Sequence, residues 1–146
     1  MRKLLFVPLL LVCMAAGCAD TLRSITEGLN KAAVSVGEVQ GIIIAAWEND
    51  VITKEKSDDL IAGITVPVLS AIGTANGAVA LLVARDEVDR DEILEILPPV
   101  IEALKEALAD EKIGLISNAG TKAAVQLGLQ AVVSALSTIQ VIAEEE

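Results

Sequence analysis

From Leu22 to Ala46 the apolar and small residues recur at steps of three and four without a break: Leu22, Ile25, Leu29, Ala32, Val36, Val39, Ile43 and Ala46. That spacing draws one narrow stripe along an α-helix. A strand cannot make it, because strand side chains alternate with a period of two. A stripe of this kind is a seam laid against other helices. Arg23, Glu27, Lys31 and Glu38 fall off the seam, and Glu27 and Lys31 are placed to pair across one turn. The pattern predicts a helix over 20–47 that closes near Glu48-Asn49-Asp50.

Three further segments repeat the signal. Thr53 is placed to cap the next helix, with Glu55 and Asp58 near its positive end. Leu60, Ile61, Ile64, Val68, Ile72, Ala75, Val79 and Leu82 continue an inward face, and Pro67 should bend or split it because proline lacks the amide donor. Asp89 followed by Glu92 has the form of a capping box. The third segment then runs to about Asp110, interrupted at Pro98-Pro99, with Val100, Ile101, Leu104 and Leu108 inward and Glu102, Lys105 and Glu106 toward water. A connection with two glycines occupies 111–120. The last helix runs from between Ser117 and Thr121 to about Ala143, with Val125, Leu129, Val132, Leu136 and Ile139 on one face and Gln126, Gln130, Ser134 and Ser137 on another. Four helices with short connections predict an all-α fold, an irregular antiparallel four-helix bundle.

Composition narrows what such a bundle can bind. Hydrophobic residues make up 53% of the chain, yet it has one Phe, one Trp and no Tyr. Ala, Val, Ile and Leu suit close helix packing but offer no platform for stacking bases or sugars. There is no His, so the usual neutral-pH general base and the commonest metal ligand are missing. The first 17 residues carry Arg2 and Lys3 and no acid, leaving 9 basic against 21 acidic side chains in the rest. That surface should repel nucleic acid.

The first 17 residues read differently from the rest. Arg2 and Lys3 give a positive start, Leu4 to Val12 an apolar stretch broken only by Pro8, and Met14 with the small residues Ala15-Ala16-Gly17 leads into Cys18. Charge, apolar core and small residues at a cut are the three parts of an export signal, and the apolar part is too short for a convincing permanent span. The ending Ala15-Ala16-Gly17-Cys18 resembles the lipobox of bacterial lipoprotein signals, with Met14 at or beside the position often held by Leu. The resemblance implies residues 1–17 as a signal peptide removed on export and 18–146 as a lipid-tethered helical domain. It also implies a diacylglycerol thioether on Cys18 and acylation of the new amine by a fatty acid such as palmitate. Ala19 after the cysteine, with Asp20 one place later, implies sorting to the outer membrane of a two-membrane bacterium, facing the periplasm. Two or three acyl chains hold a protein stably where one does not. An ordinary secretory leader, or a cytosolic protein with an apolar first helix, shares the earlier features and leaves Cys18 a free thiol. Cys13 lies within the leader, so a cleaved chain has no second cysteine for an internal disulfide.

Two stretches of the body are long and uncharged: 24 residues from Ile61 to Ala84 and 21 from Ala123 to Ala143. Both are long enough to cross a bilayer. Gly37-Gly41 and Gly73-Gly77 have the small-xxx-small spacing of close helix contacts and read as packing positions. Against a span stand Pro67, Ser70, Thr74 and Asn76 in the first stretch and Gln126, Gln130 and Gln140 in the second. A water-soluble bundle accounts for the apolar faces of all four helices together.

No residue set suggests chemistry. The acidic cluster Asp86, Glu87, Asp89, Asp91 and Glu92 lacks the glycine and terminal glutamate of a calcium loop and reads as a solvated helix start. Hydroxyl residues have no His to activate them, and no phosphate loop is present. The expectation is therefore no enzyme, no cofactor and no metal. Trp47, the one aromatic expected after the leader, is a candidate partner contact, because large aromatics often dominate interfaces; capping the bundle core is its simpler role.

Taken together, these features predict a lipid-anchored structural or protein-interaction module of the cell envelope. Its partners would be the membrane and an envelope protein, with its own oligomeric state left open. The alternative is a membrane-inserting helical or oligomeric protein using 61–84 and 123–143. In size and class the chain loosely resembles bacteriophage-encoded envelope proteins of the exclusion or lysis kind.

Overall fold

The computed structural model describes the backbone from Phe6 to Glu145 and side chains from Gly17 onward. The leader's Arg2, Lys3, Cys13 and Ala15-Ala16 side chains lie outside the described residues. Helix α1 spans Phe6–Glu48. It starts well before the expected Asp20, because no glycine or proline stop lies between Met14 and Leu22 except Gly17, which a helix tolerates at modest cost. All eight seam residues from Leu22 to Ala46 are buried. The helix closes where the sequence suggested, by a Schellman turn: the Val51 amide donates to the Ala46 carbonyl (2.8 Å) and the Asp50 amide to the Trp47 carbonyl (2.9 Å). Asp50 takes the left-handed conformation, φ 59°, that such a turn requires.

The second rod is α2 (Lys54–Leu60), a π-helical turn (Ile61–Thr65) and α3 (Val66–Val83). Thr53 caps it as expected, accepting from the Lys56 amide at 3.2 Å. Pro67 neither breaks nor visibly splits the rod. The π turn just before it, with the Val66 amide donating to the Ile61 carbonyl, lets the helix run on past a residue that has no amide to give. Thr65 is buried there; its hydroxyl donates to the Ile61 carbonyl (3.1 Å) and stands 3.5 Å from Gln40 Oε1 on α1.

The third rod is segmented: α4 (Arg90–Leu94), α5 (Pro98–Ala109) and α6 (Glu111–Gly114). The break falls at Pro98-Pro99 as expected, where the prolines occupy the first turn of α5 and lose no helical bond. The capping box at its start is only half formed. Asp89 accepts from the Asp91 amide (3.1 Å), but Glu92 turns to the Arg85 guanidinium (2.8 and 3.0 Å) instead of reaching back to Asp89. A two-pronged charged partner outcompetes a single neutral amide. The expected connection at 111–120 contains α6, capped by Asp110 (2.8 Å to the Lys112 amide). The last rod, α7, spans Ala119–Glu145.

The described residues form an all-α helical bundle without a strand. α1 packs most extensively on α7 and next on α3, and α5 touches both α7 and α3, so α3 and α7 stand at opposite corners. Gly28 lies against Leu136 and Ile139 of α7, and Gly128 of α7 against Val39 of α1. Residue numbers thus rise along α1 as they fall along α7, and these two helices run in opposite directions. A Cβ on Gly128 would stand 2.6 Å from Val39 Cγ2, and one on Gly28 would meet Ile139 Cδ1 more closely still. These two glycines let the helices approach. Gly37, Gly41, Gly73 and Gly77 were the expected packing positions, yet they are exposed with nothing within 4 Å of an added Cβ. Their spacing marks a face of small residues, and that face looks outward.

Candidate functional site

Cys18 sits on α1 one turn before Leu22, half-buried and packed against the edge of the core. Gly17 before it is exposed, and its carbonyl accepts from the Thr21 hydroxyl at 2.9 Å. The cysteine lines a cleft of about 870 Å³ between the start of the bundle's share of α1 and the end of α3. Leu22, Leu82, Val83 and Val88 supply its apolar wall, while Arg23, Arg85, Asp86 and Glu87 stand on the rim. Each arginine is already engaged: Arg23 with Glu27 at 3.2 Å, and Arg85 with Glu92 at 2.8 Å. Glu27 therefore pairs with Arg23 rather than with the expected Lys31. Both choices are solvent-exposed, so little energy separates them.

The acidic stretch 86–92 is committed mainly to local structure. Asp89 caps α4, Glu92 holds Arg85, and the neighbouring Arg90 donates to the carbonyls of Ala143 (3.2 Å) and Glu144 (2.8 Å). A cation at the carbonyl end of α7 is electrostatically favourable. Arg90 thus ties the third rod to the end of α7. Among the described residues no three His, Cys, Asp or Glu side chains converge on a metal position.

Chemically, the cleft presents one thiol, Cys18, with no histidine in the chain to activate it, and the Thr26 hydroxyl beside it donates to the Leu22 carbonyl at 2.8 Å. Buried polar side chains among the described residues are Ser57 and Thr65. Thr65 donates to its own helix, which leaves its hydroxyl without a general base.

Trp47 is at the other end of α1. The 29 residue steps from Cys18 to it place it about 44 Å away along the helix axis. The residue is 37% exposed, with the Lys54 ammonium 5.8 Å from the ring centroid. That cation–π contact and the adjacent Schellman turn fix the ring at the surface. The structure does not bring Cys18 and Trp47 together.

Gly28 and Gly128 are not conspicuous in the sequence because neither has a second glycine four residues away, the spacing that marks 37/41 and 73/77. The signal that finds them is their place beside seam residues, Leu29 and Leu129, on the flank where α1 meets α7. The chain matches no known protein family, and neither a curated protein nor a solved structure is similar to it.

Proposed function

We propose that this protein is a lipid-anchored, non-catalytic helical module of the bacterial cell envelope. Its anchor is acyl chains on Cys18, it resides at the outer membrane on the periplasmic side, and its role is structural or protein-binding. The observation that carries this reading is the sequence Ala15-Ala16-Gly17-Cys18 placed directly before a helical bundle. Support comes from the placement of the cysteine at one extremity of that bundle, beside an exposed glycine. Acyl chains there leave the bundle body free to reach away from the membrane. Trp47, about 44 Å along α1, is the proposed contact for an envelope protein partner.

Membrane fractions from a native host expressing the wild-type chain or Cys18→Ser, washed at alkaline pH, test the anchor. The wild type stays with the membrane and Cys18→Ser is released. Release of the wild type overturns the tether. Retention of both variants favours the second reading.

That second reading is insertion by the apolar helices. The observation favouring it is burial: in the most apolar windows of Lys54–Val83 and Ala119–Glu145, 28% and 22% of residues are buried within the bundle. The seam of each helix is covered by the bundle, and its remaining uncharged face is open to solvent or to lipid.

A further inference from the structure

Resting on the second reading, insertion, rather than on the tether alone, we propose that the bundle opens at a membrane, with α3 and α7 entering the hydrocarbon while α1 and α5 stay at the surface. The first support is height. Thr65 stands beside Gln40, and Leu82 shares a cleft with Leu22. On the other flank Gly128 meets Val39 and Ile139 meets Gly28. Residues 65–82 and 128–139 therefore run alongside the same part of α1, between Leu22 and Gln40. That stretch of α1 rises about 27 Å, close to the ~30 Å of a bilayer's hydrocarbon.

The second support is charge. The uncharged bands 61–84 and 123–143 end at charged residues on both sides: Asp59 and Arg85 for the first, Lys122 and Glu144 for the second. The outer face of α3 shows Val66, Ser70, Thr74 and Leu81 to solvent, and that of α7 shows Leu127, Gln130, Ala131, Ser134, Thr138 and Val141, polar in places but uncharged. At the same height α1 exposes Glu27, Lys31 and Glu38. Leu94, just ahead of α5, lies beside Gln140, and Gly114, just after it, beside Lys122, so α5 too spans the band, exposing Glu102, Lys105 and Glu106. This fold accepts charge on outward turns of two helices and carries none on the other two over the same length. Water alone gives no reason for that division.

The third support is arrangement. The two uncharged helices occupy opposite corners, each flanked by the two charged ones. A closed bundle entering hydrocarbon would carry the charges of α1 and α5 with it, which the bilayer opposes strongly. Separation of the corners lets the uncharged rods leave and the charged, amphipathic rods remain in the interface. The π turn before Pro67 and the loop before α7 are where the rods can swing, since helical hydrogen bonding is already irregular or absent there.

The test uses the full chain with Cys13→Ser and Cys18→Ser, so its outcome is independent of the lipid tether. Single cysteines replace Thr74, Ser134 or Glu102, all exposed, and carry an environment-sensitive fluorophore. The probe is vesicles of phosphatidylethanolamine and phosphatidylglycerol with a quencher in the acyl chains. The labels at 74 and 134 shift to the blue and are quenched from within the lipid, while the label at 102 stays open to an aqueous quencher. No shift at 74 and 134, a shift at one alone, or lipid quenching at all three overturns the proposal. A second variant guards against misfolding. At Gly73 an added Cβ meets nothing within 4 Å, so Gly73→Lys keeps the helicity of the closed bundle, and a label at Ala80 no longer enters lipid. Undiminished entry by this variant contradicts the opening model.

Discussion

The contact between α1 and α7 and the outer face of α3 are built from similar residues and end in opposite environments. Both carry glycines among Ala, Val, Leu and Ile. At the first, Gly28 and Gly128 let side chains of the partner helix fill the space where a Cβ would be, and Ile25, Leu29, Val125 and Leu129 are fully buried around them. At the second, Gly73 and Gly77 face open space. Glycine inside a helix costs about 0.5–1 kcal/mol relative to alanine. At the α1–α7 contact close packing offsets that cost. On α3 nothing among the described residues does, which points to a role outside the closed bundle. The lesson is that small-residue spacing identifies a face, while the phase of the neighbouring apolar seam decides whether that face is covered.

The largest expected effect lies in the covered region. Leu136 is fully buried against α1, so Leu136→Ala should lower unfolding free energy by about 2–5 kcal/mol in chemical denaturation; a smaller loss would mean that the α1–α7 contact is loose. Next comes Gly128→Val, which places branched carbon where Val39 Cγ2 already stands and should cost about 1–3 kcal/mol through overpacking. A stabilised variant would show that the close approach is not needed. Of similar or smaller size is Thr53→Ala, which removes the cap from the second rod and should cost about 1 kcal/mol, read as a drop in the denaturation midpoint. The smallest effect has the opposite sign. Gly77→Ala on the open face should stabilise the isolated chain by about 0.5–1 kcal/mol. Destabilisation there would mean that α3's outer face is covered by another copy in solution.

The sequence made the rods legible and left their orientations mostly hidden. Every residue of the α1 seam is buried, as are Leu60, Ile64, Val68, Ile72, Ala75, Val79 and Leu82 on the second rod. Strict three-four spacing over many turns has one geometric solution, so these positions needed no tertiary information. The caps at Thr53 and Asp89 and the interruption at Pro98-Pro99 were visible for the same reason: their chemistry is local. What stayed hidden depends on neighbours distant in sequence. Glu92 leaves its capping box because Arg85 comes within reach, and the π turn appears because the rod continues on α1 after Pro67 instead of breaking. At the candidate site the lipobox-like residues were legible as a pattern; the cleft beside Cys18 was not, because half of its wall comes from 82–88.

The most direct test of the account is the intact mass of the protein purified from its native host. The expected mass is that of a chain that begins at Cys18 and carries diacylglycerol with an added acyl group. A chain that retains Met1 and an unmodified Cys18 thiol would contradict it.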